Sequence, residues 1–397
     1  MSRVATAFSG GCLLICALFA VSAPATAEQP VIDATSPDAE TTDLDSTVNR
    51  PPNGLWPETV TSTVEPKRPD VEHVVFVSVD GLNSKAVTTL GPARAPTFHR
   101  MMSEGAATLN ARTAVEQTLT LPNHASMVSG RRIATSRGHG VTFNSDNGST
   151  IHVSAGGYVA SIFDVVHDNG GSTGMYVGKS KFDFLDRSWN ASNGARDVTG
   201  ADHGRDKIDV YEFADDSTTV ATLLAQLTSA TPKTLSFVHL AETDNAGHAS
   251  GFMSAAYLDA VAVVDRRLGE LLDAVEMNPE LAGSTVVIVT TDHGGASETF
   301  SHADRTVAAN YAVPFFTWGA GVARGADLYT LNSDRADPGA AQPRYQQRMQ
   351  PIRTGEAANL IAGLLGYGPV PGGTFNGDQS LDLAPPSSTL LRRPLVK

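Results

Sequence analysis

Three stretches of this chain pass from a β-branched apolar run straight into residues that bind metal or move protons. His73–Val79 leads into Asp80-Gly81, and residues 234–240 lead into Glu242-Thr243-Asp244 with His248 four positions on. Residues 284–290 lead into Thr291-Asp292-His293-Gly294-Gly295. In open α/β sheets ligands bind beyond the carboxyl ends of the strands, so this pattern collects Asp80, Asp244, His248, Asp292 and His293 on one rim. Carboxylate and imidazole are hard and borderline donors, a set that suits Zn²⁺ where no thiolate is at hand. A fourth segment, TLTLPNH at 118–124, stands directly before a helical pattern opened by Pro122. Thr120 then lies at the positive end of a helix, which favours anions, whether an alkoxide on the threonine or a phosphoryl group bound to it. A threonine hydroxyl is a poor nucleophile until a metal or a base activates it.

Each of these pieces has an ordinary reading. Asp-Gly after a strand is most often a turn, and Thr-x-Pro-Asn before a helix is most often a cap. Asp244 and His248 form a plausible surface pair on one helical turn. The conjunction separates the readings, because simple turns and caps give no reason for all of them to sit at strand exits or a helix start. Lys179 and Lys181 follow another strand and either reach a substrate anion or occupy a solvated loop. Arg131 and Arg132 read as surface charges, and Glu242 as a neighbour of the ligands. His73, His99, His152, His167, His203 and His239 have no partner visible in sequence.

The elements that must hold these residues alternate. Strand signals at His73–Val79, Thr173–Val177, 234–240, 284–290 and 311–318 are interleaved with helical signals at 96–103, 122–129, 159–169, 216–229, 253–277 and 356–365. That rhythm predicts an α/β fold, a mostly parallel central sheet with helices on both faces. Two long stretches rich in Gly, Asp, Asn and Pro, 179–213 and 323–353, interrupt it and are expected to be lid or substrate loops.

The chain has 397 residues and a formal net charge of −13, which argues against nucleic acid as a bulk electrostatic partner. Both cysteines, Cys12 and Cys16, lie in a short apolar run after Arg3 and before Ala25-Thr26-Ala27, the pattern of a secretory signal over residues 1–27. Its removal leaves no thiol, which excludes a disulfide scaffold, thiolate metal sites and a cysteine nucleophile. Residues 28–70 are acidic, Thr- and Pro-rich and too polar to bury a core; they read as a disordered tether. The catalytic domain is then 71–390, secreted or periplasmic, with no transmembrane segment in the mature chain. Arginines outnumber lysines, in keeping with a bacterial source of high GC content.

VSVDG at 77–81, TLPNH at 120–124, HG…N at 139–144, DNAGH at 244–248 and TDHGG at 291–295 occur in that order. In this the chain resembles the alkaline phosphatase superfamily, and within it the type I phosphodiesterase / nucleotide pyrophosphatase branch, over roughly residues 71–375. The resemblance implies an alkaline-phosphatase-like sheet and two zinc ions. One would be held by Asp80, Asp292, His293 and the Thr120 oxygen, the other by Asp244, His248 and a later histidine, here His302. It implies Thr120 as nucleophile, a threonyl-phosphoryl intermediate and Asn144 as the phosphate-binding asparagine, helped by backbone N–H groups near Asn123. Lys179 is a candidate for substrate binding. The substrate would be a small phosphate ester, a diester in preference to a monoester. Leu121 stands where nucleotide-cleaving relatives carry a stacking aromatic, so no strong nucleotide preference is expected unless Phe143, Phe182 or Phe184 supplies a ring. A phosphomonoesterase or phosphonate hydrolase on the same site, and a non-catalytic envelope binding protein of the same fold, are the alternatives. A sulfatase is disfavoured by the absence of a cysteine in the mature chain.

Overall fold

The computed structural model describes residues 71–385, apart from 135 and 198–203. The signal segment, the acidic tether, residues 386–390 and His203 lie outside the described residues. Eight strands form one sheet: β1 (His73–Val79), β2 (Ala106–Arg112), β3 (Thr173–Val177), β4 (Val210–Phe213), β5 (Leu235–Leu240), β6 (Thr285–Thr290), β7 (Ala312–Gly319) and β8 (Ala326–Asp327). Their order is β4-β3-β5-β1-β6-β7-β2-β8. Pairing is parallel from β4 through to β6, antiparallel between β6 and β7 and between β7 and β2, and parallel again at β8. The expected α/β architecture is present, and β1 lies between β5 and β6. The three strands that lead into Asp80, Asp244 and Asp292 are therefore direct neighbours.

Strand periodicity splits the core in two. Val74 and Phe76 of β1 face one layer, with Phe237 of β5, Ile288 of β6 and the helices Thr120–Ser129, Ile162–Asp168 and Ala357–Leu364. Val75, Val77 and Val79 face the other, with Val238, Leu240, Val287, Val289 and the helices Ser84–Arg94, Asp216–Leu227 and Ala255–Met277. A strand covered on both sides has no polar alternation, so these runs read as continuous apolar sequence.

Sequence periodicity missed β2, β4 and β8. Ala106–Arg112 (AATLNAR) owes its strand state to pairing with β7 and carries a register shift between Thr108 and Ala111. The 179–213 stretch, read as a loop, is partly regular. It contains a 3₁₀ turn (Ser180–Phe182), a helix (Asp183–Trp189) and the edge strand β4. These are too short for a periodic signal and are held by burying Phe182, Phe184, Leu185 and Trp189. The 323–353 stretch is largely irregular, and two buried guanidinium groups fasten it. Arg112 donates to the carbonyls of Ala341 (2.8 Å) and Gly339 (2.6 Å). Arg353 donates to those of Pro343 (2.6 Å) and Thr113 (3.0 Å). The loop thereby becomes a wall anchored to the end of β2.

Arg353→Met removes the charge-assisted bonds to both carbonyls, and those to Gln342 and Gln350, and leaves the carbonyls buried, at a cost of about 3 kcal/mol. Urea unfolding should show that loss, and limited proteolysis should cut first within 323–353. A variant as stable and as protease-resistant as the parent would refute this anchoring role.

Candidate active site

Local chemistry sets each side chain in place. After β1 the chain turns at Gly81, whose φ of +71° suits glycine, and a Cβ there would lie 3.1 Å from Asp244. The turn is tied to the end of β6: Gly81 N donates to Asp292 Oδ1 (3.2 Å) and Leu82 N to Thr291 Oγ1 (3.1 Å). After β5 the helix Glu242–Ser250 begins without a cap from its own residue Ala241. Asp216, from the neighbouring helix, accepts instead from the N–H groups of Ala241 (2.8 Å) and Glu242 (2.9 Å). Four-residue spacing then puts Asp244 and His248 on one face.

Two triads result, Asp80–Asp292–His293 and Asp244–His248–His302, each with its ligand atoms within 4.8 Å of one another. They adjoin: the His293 and His302 rings stack at 3.4 Å. Asp244 Oδ1 lies 3.9 Å from His293 Nε2 and 3.7 Å from His302 Nε2. All of these residues are buried except His248, which is exposed.

The protonation pattern tests whether these residues fit a metal. His293 Nδ1 lies 2.8 Å from the carbonyl of Gly294, His302 Nδ1 2.6 Å from that of Thr118, and His248 Nδ1 2.8 Å from that of Phe300. A carbonyl only accepts, so each Nδ1 carries a proton and each Nε2 is the ring atom turned toward the carboxylates. Asp80 Oδ1, Asp244 Oδ1, Asp292 Oδ2 and His293 Nε2 are buried and make no hydrogen bond. Buried carboxylate oxygens without a hydrogen bond are stable only around cations, protons or metal ions, and with three imidazole Nε2 atoms beside them the donor set fits one divalent ion per triad.

The same crowding perturbs the free side chains. Burial and the Asp80 charge push Asp292 up to about 7. Burial works against a charged His293, yet Asp292 and Asp80 raise it to about 9. Burial and the neighbouring His293 push His302 down to about 2. Burial would raise Asp80, but Lys179, His239 and His293 hold it well below the usual carboxylate range.

Thr120 begins a ten-residue helix, Thr120–Ser129, closed by Gly130 in the left-handed conformation. Both triads fix it. Thr118 exchanges two bonds with His302, Oγ1 to the His302 carbonyl (2.5 Å) and Nδ1 of His302 back to the Thr118 carbonyl. On the other side His124 Nδ1 donates to the Thr120 carbonyl (2.8 Å) and lies 3.7 Å from Asp292 Oδ2. Asn144 accepts from Leu121 N (2.9 Å) and so stands beside the threonine. The expected help from backbone N–H groups is not present at two positions: Leu121 N is bound to Asn144, and Asn123 N to the Leu119 carbonyl (3.2 Å).

Lys179 is drawn in from the end of β3. Its Nζ lies 2.6 Å from Asp80 Oδ2 and 2.5 Å from Asp244 Oδ2, bridging the triads, and these carboxylates raise its affinity for a proton against the effect of burial. His239 is a contributor that sequence reading passed over. Gly178 N donates to its Nδ1 (3.3 Å), so Nε2 bears the proton and donates to Asp80 Oδ2 (2.9 Å). It orients the Asp80 carboxylate. In sequence its only mark is its place near the end of the apolar run that leads to Asp244; its parallel register with Ser78, two residues before Asp80, emerges from the sheet. Glu242 instead pairs with Arg267, away from the ligands. Phe182 and Phe184 are fully buried in the core and offer no ring to a substrate.

A model of the type I phosphodiesterase / nucleotide pyrophosphatase family matches residues 74–352. The chain belongs to this family. Type I phosphodiesterases and nucleotide pyrophosphatases are metal-dependent hydrolases acting on phosphoester bonds. Among solved structures, murine ectonucleotide pyrophosphatase/phosphodiesterase 5, in an inactive form complexed with AMP, is 16% identical, with a TM-score of 0.53. The match covers 78% of this chain and 99% of that one. The human protein of the same name is 14% identical, with a TM-score of 0.52 and the same two coverages. At these identities the likeness is one of fold. GPI ethanolamine phosphate transferase 1 of Yarrowia lipolytica is 38% identical over 111 residues, 28% of this chain. The chain spans only 12% of that relative's length. No helix among the described residues is long and apolar enough to cross a membrane.

If the triads hold a divalent metal, His239→Ala should weaken its binding by about ten- to a hundredfold, the usual cost of losing a ligand's outer partner. Competition against a chelating dye reads this directly, and unaltered affinity would remove His239 from the site.

Proposed function

We propose that the chain is a two-zinc phosphodiesterase that works through a threonyl-phosphoryl intermediate on Thr120. The observation that carries this reading is the position of Thr120. It stands at a helix N-terminus, hydrogen-bonded through Thr118 to one triad and in contact through His124 with the other. Asp80, Asp292, His293 and the Thr120 oxygen would hold one ion, and Asp244, His248 and His302 the second. Bound there, zinc would lower the pKa of the threonine hydroxyl and offset the negative charge of the reacting phosphoryl group.

The chain's own residues account for the rest. Thr120 Oγ forms a bond to phosphorus while the P–O bond to one ester arm breaks, and that arm leaves as an alcohol after taking a proton. Water then attacks the phosphothreonine, releasing the second arm as a phosphomonoester and regenerating the hydroxyl. Asn144 Oδ1 is tied to Leu121 N, which leaves its amide N–H₂ to donate to a non-bridging oxygen. His124 is pushed well below the usual imidazole range, first by burial and then by His239. It stays neutral and holds the Thr120 carbonyl, which fixes the helix end. An acidic leader preceded by a signal segment suits a secreted or periplasmic enzyme.

Diesters are the proposed substrates, because the segment bearing the nucleophile carries no cation for the extra charge of a monoester. Lys179 favours a second reading, a phosphomonoesterase or phosphonate hydrolase. It brings an ammonium group between the two triads from another strand.

Thr120→Ala should lower kcat at least a thousandfold and Thr120→Ser should keep a measurable part, in assays of bis(4-nitrophenyl) phosphate; wild-type turnover by the alanine variant would rule the nucleophile out. Comparison with 4-nitrophenyl phosphate separates the two substrate readings. The diesterase predicts a higher kcat/KM for the diester. A higher value for the monoester, lost preferentially in Lys179→Met, would establish the second.

A further inference from the structure

A cleft of ≈ 430 Å³ is lined by residues on the backbone segments that lead to Thr120 and from His302, and its chemistry is opposite to that of the chain as a whole. Its walls include Glu116, Arg132, Arg305, Arg344 and Tyr345. Two backbone straps connect it to the site. Glu116 lies four residues before Thr120, Arg305 three after His302, and the straps meet where Arg305 Nη1 donates to the Glu116 carbonyl (3.4 Å). The cleft is built rather than incidental. Tyr345 OH donates to Glu116 (2.7 Å) and accepts from Val115 N (3.0 Å), and the Arg132 guanidinium stacks 3.8 Å above the Tyr345 ring.

Charge is the telling feature. Glu116 is taken by Arg132 (3.2 Å) and Tyr345. Arg305 and Arg344 form no ion pair among the described residues. Three arginines thus line the cleft with one carboxylate, in a chain whose formal net charge is −13. Volumes of several hundred Å³ suit a small ligand, and guanidinium groups recognise carboxylate and phosphate through paired N–H donors.

We infer that this cleft is a subsite for a second anionic group carried on the leaving arm of the substrate. The inference rests on the hydrolase reading above. In a two-metal site the ions clamp the attacking and leaving oxygens of an in-line displacement. Were Thr120 to act from the Asp80 side, the leaving oxygen would lie toward the triad of His302, and the strap that runs from His302 to Arg305 would lead its arm to the cleft. The substrate class is therefore a phosphodiester of an alcohol that itself bears a carboxylate or phosphate. Arg132, which the sequence marks only as a surface charge, forms part of the cleft's floor with Tyr345.

Two chromogenic diesters test this, methyl 4-nitrophenyl phosphate and methyl 3-carboxy-4-nitrophenyl phosphate, which differ by one carboxylate on the leaving arm. A third, with a phosphonomethyl group in place of the carboxylate, distinguishes the two anions. For the intact protein, the kcat/KM ratio of an anionic to the neutral diester should exceed ten. In the double variant Arg305→Gln, Arg344→Gln that ratio should fall toward one. A ratio near one for both anionic diesters, or a ratio the double variant leaves in place, overturns the subsite. Should none of the diesters be cleaved, the hydrolase reading fails separately. Calorimetric titration with the same anionic diesters then decides the subsite: binding at least tenfold weaker in the double variant supports it, and equal binding overturns it.

Discussion

Three buried carboxylates crowded together beside three imidazole rings set the terms for the rest of this molecule. Asp80, Asp244 and Asp292 are almost wholly removed from water, and their inward oxygens make no hydrogen bond. Such a cluster is repulsive by itself, and burial amplifies the repulsion because water no longer screens it. The side chains respond by gathering protons and cations: His293 and Asp292 bind protons more tightly, and Lys179 reaches across from β3 to lie against Asp80 and Asp244. Divalent cations meet the same demand with stronger, directed bonds, which is why the donor geometry reads as a metal centre.

The fold supplies the force that holds this arrangement together. Strands β5, β1 and β6 are adjacent, parallel and covered on both faces, so their carboxyl ends are held at fixed spacing by core packing on either side. Turns beyond those ends are locked to one another by short-range bonds, Gly81 to Asp292 and Leu82 to Thr291. The Thr120 helix completes the site from one layer, the Asp244 helix from beyond the end of β5. The unfavourable electrostatics are local, whereas the stabilising burial is spread over the whole sheet.

Reactivity and selectivity come from different parts of the chain. The strand exits and the Thr120 helix are rigid and nearly inaccessible. The 323–353 stretch is largely irregular after β8 and the short helix Leu328–Leu331, and Arg112 and Arg353 fasten it. On the proposed reading, that division would leave a constant reaction centre beside a wall, Arg344 and Tyr345 among its side chains, that defines the arm of the substrate. Phe182 and Phe184, by contrast, are core residues, which leaves Leu121 without a nearby aromatic substitute from that stretch.

Much of the centre was legible from sequence. Asp80, Asp244, Asp292 and their histidines follow continuous apolar runs, and such runs become parallel strands whose ends meet; Thr120 precedes a helix that Pro122 and Gly130 delimit. These are local signals, carried by periodicity and by residues with restricted backbones. The tertiary structure decided what local pattern cannot express. His239 and His302 are both buried histidines, yet one donates to Asp80 and the other turns a lone pair toward Asp244, because their Nδ1 atoms meet an N–H in one case and a carbonyl in the other. Lys179 gains its place from the pairing of β3 with β5. Backbone N–H groups near Thr120 are committed to Asn144 and Leu119. The arginine cleft joins residues near positions 116, 132, 305 and 344, whose proximity follows from sheet order and loop anchoring alone. Side-chain type fixes which chemistry is possible, and long-range hydrogen bonding fixes which atom performs it.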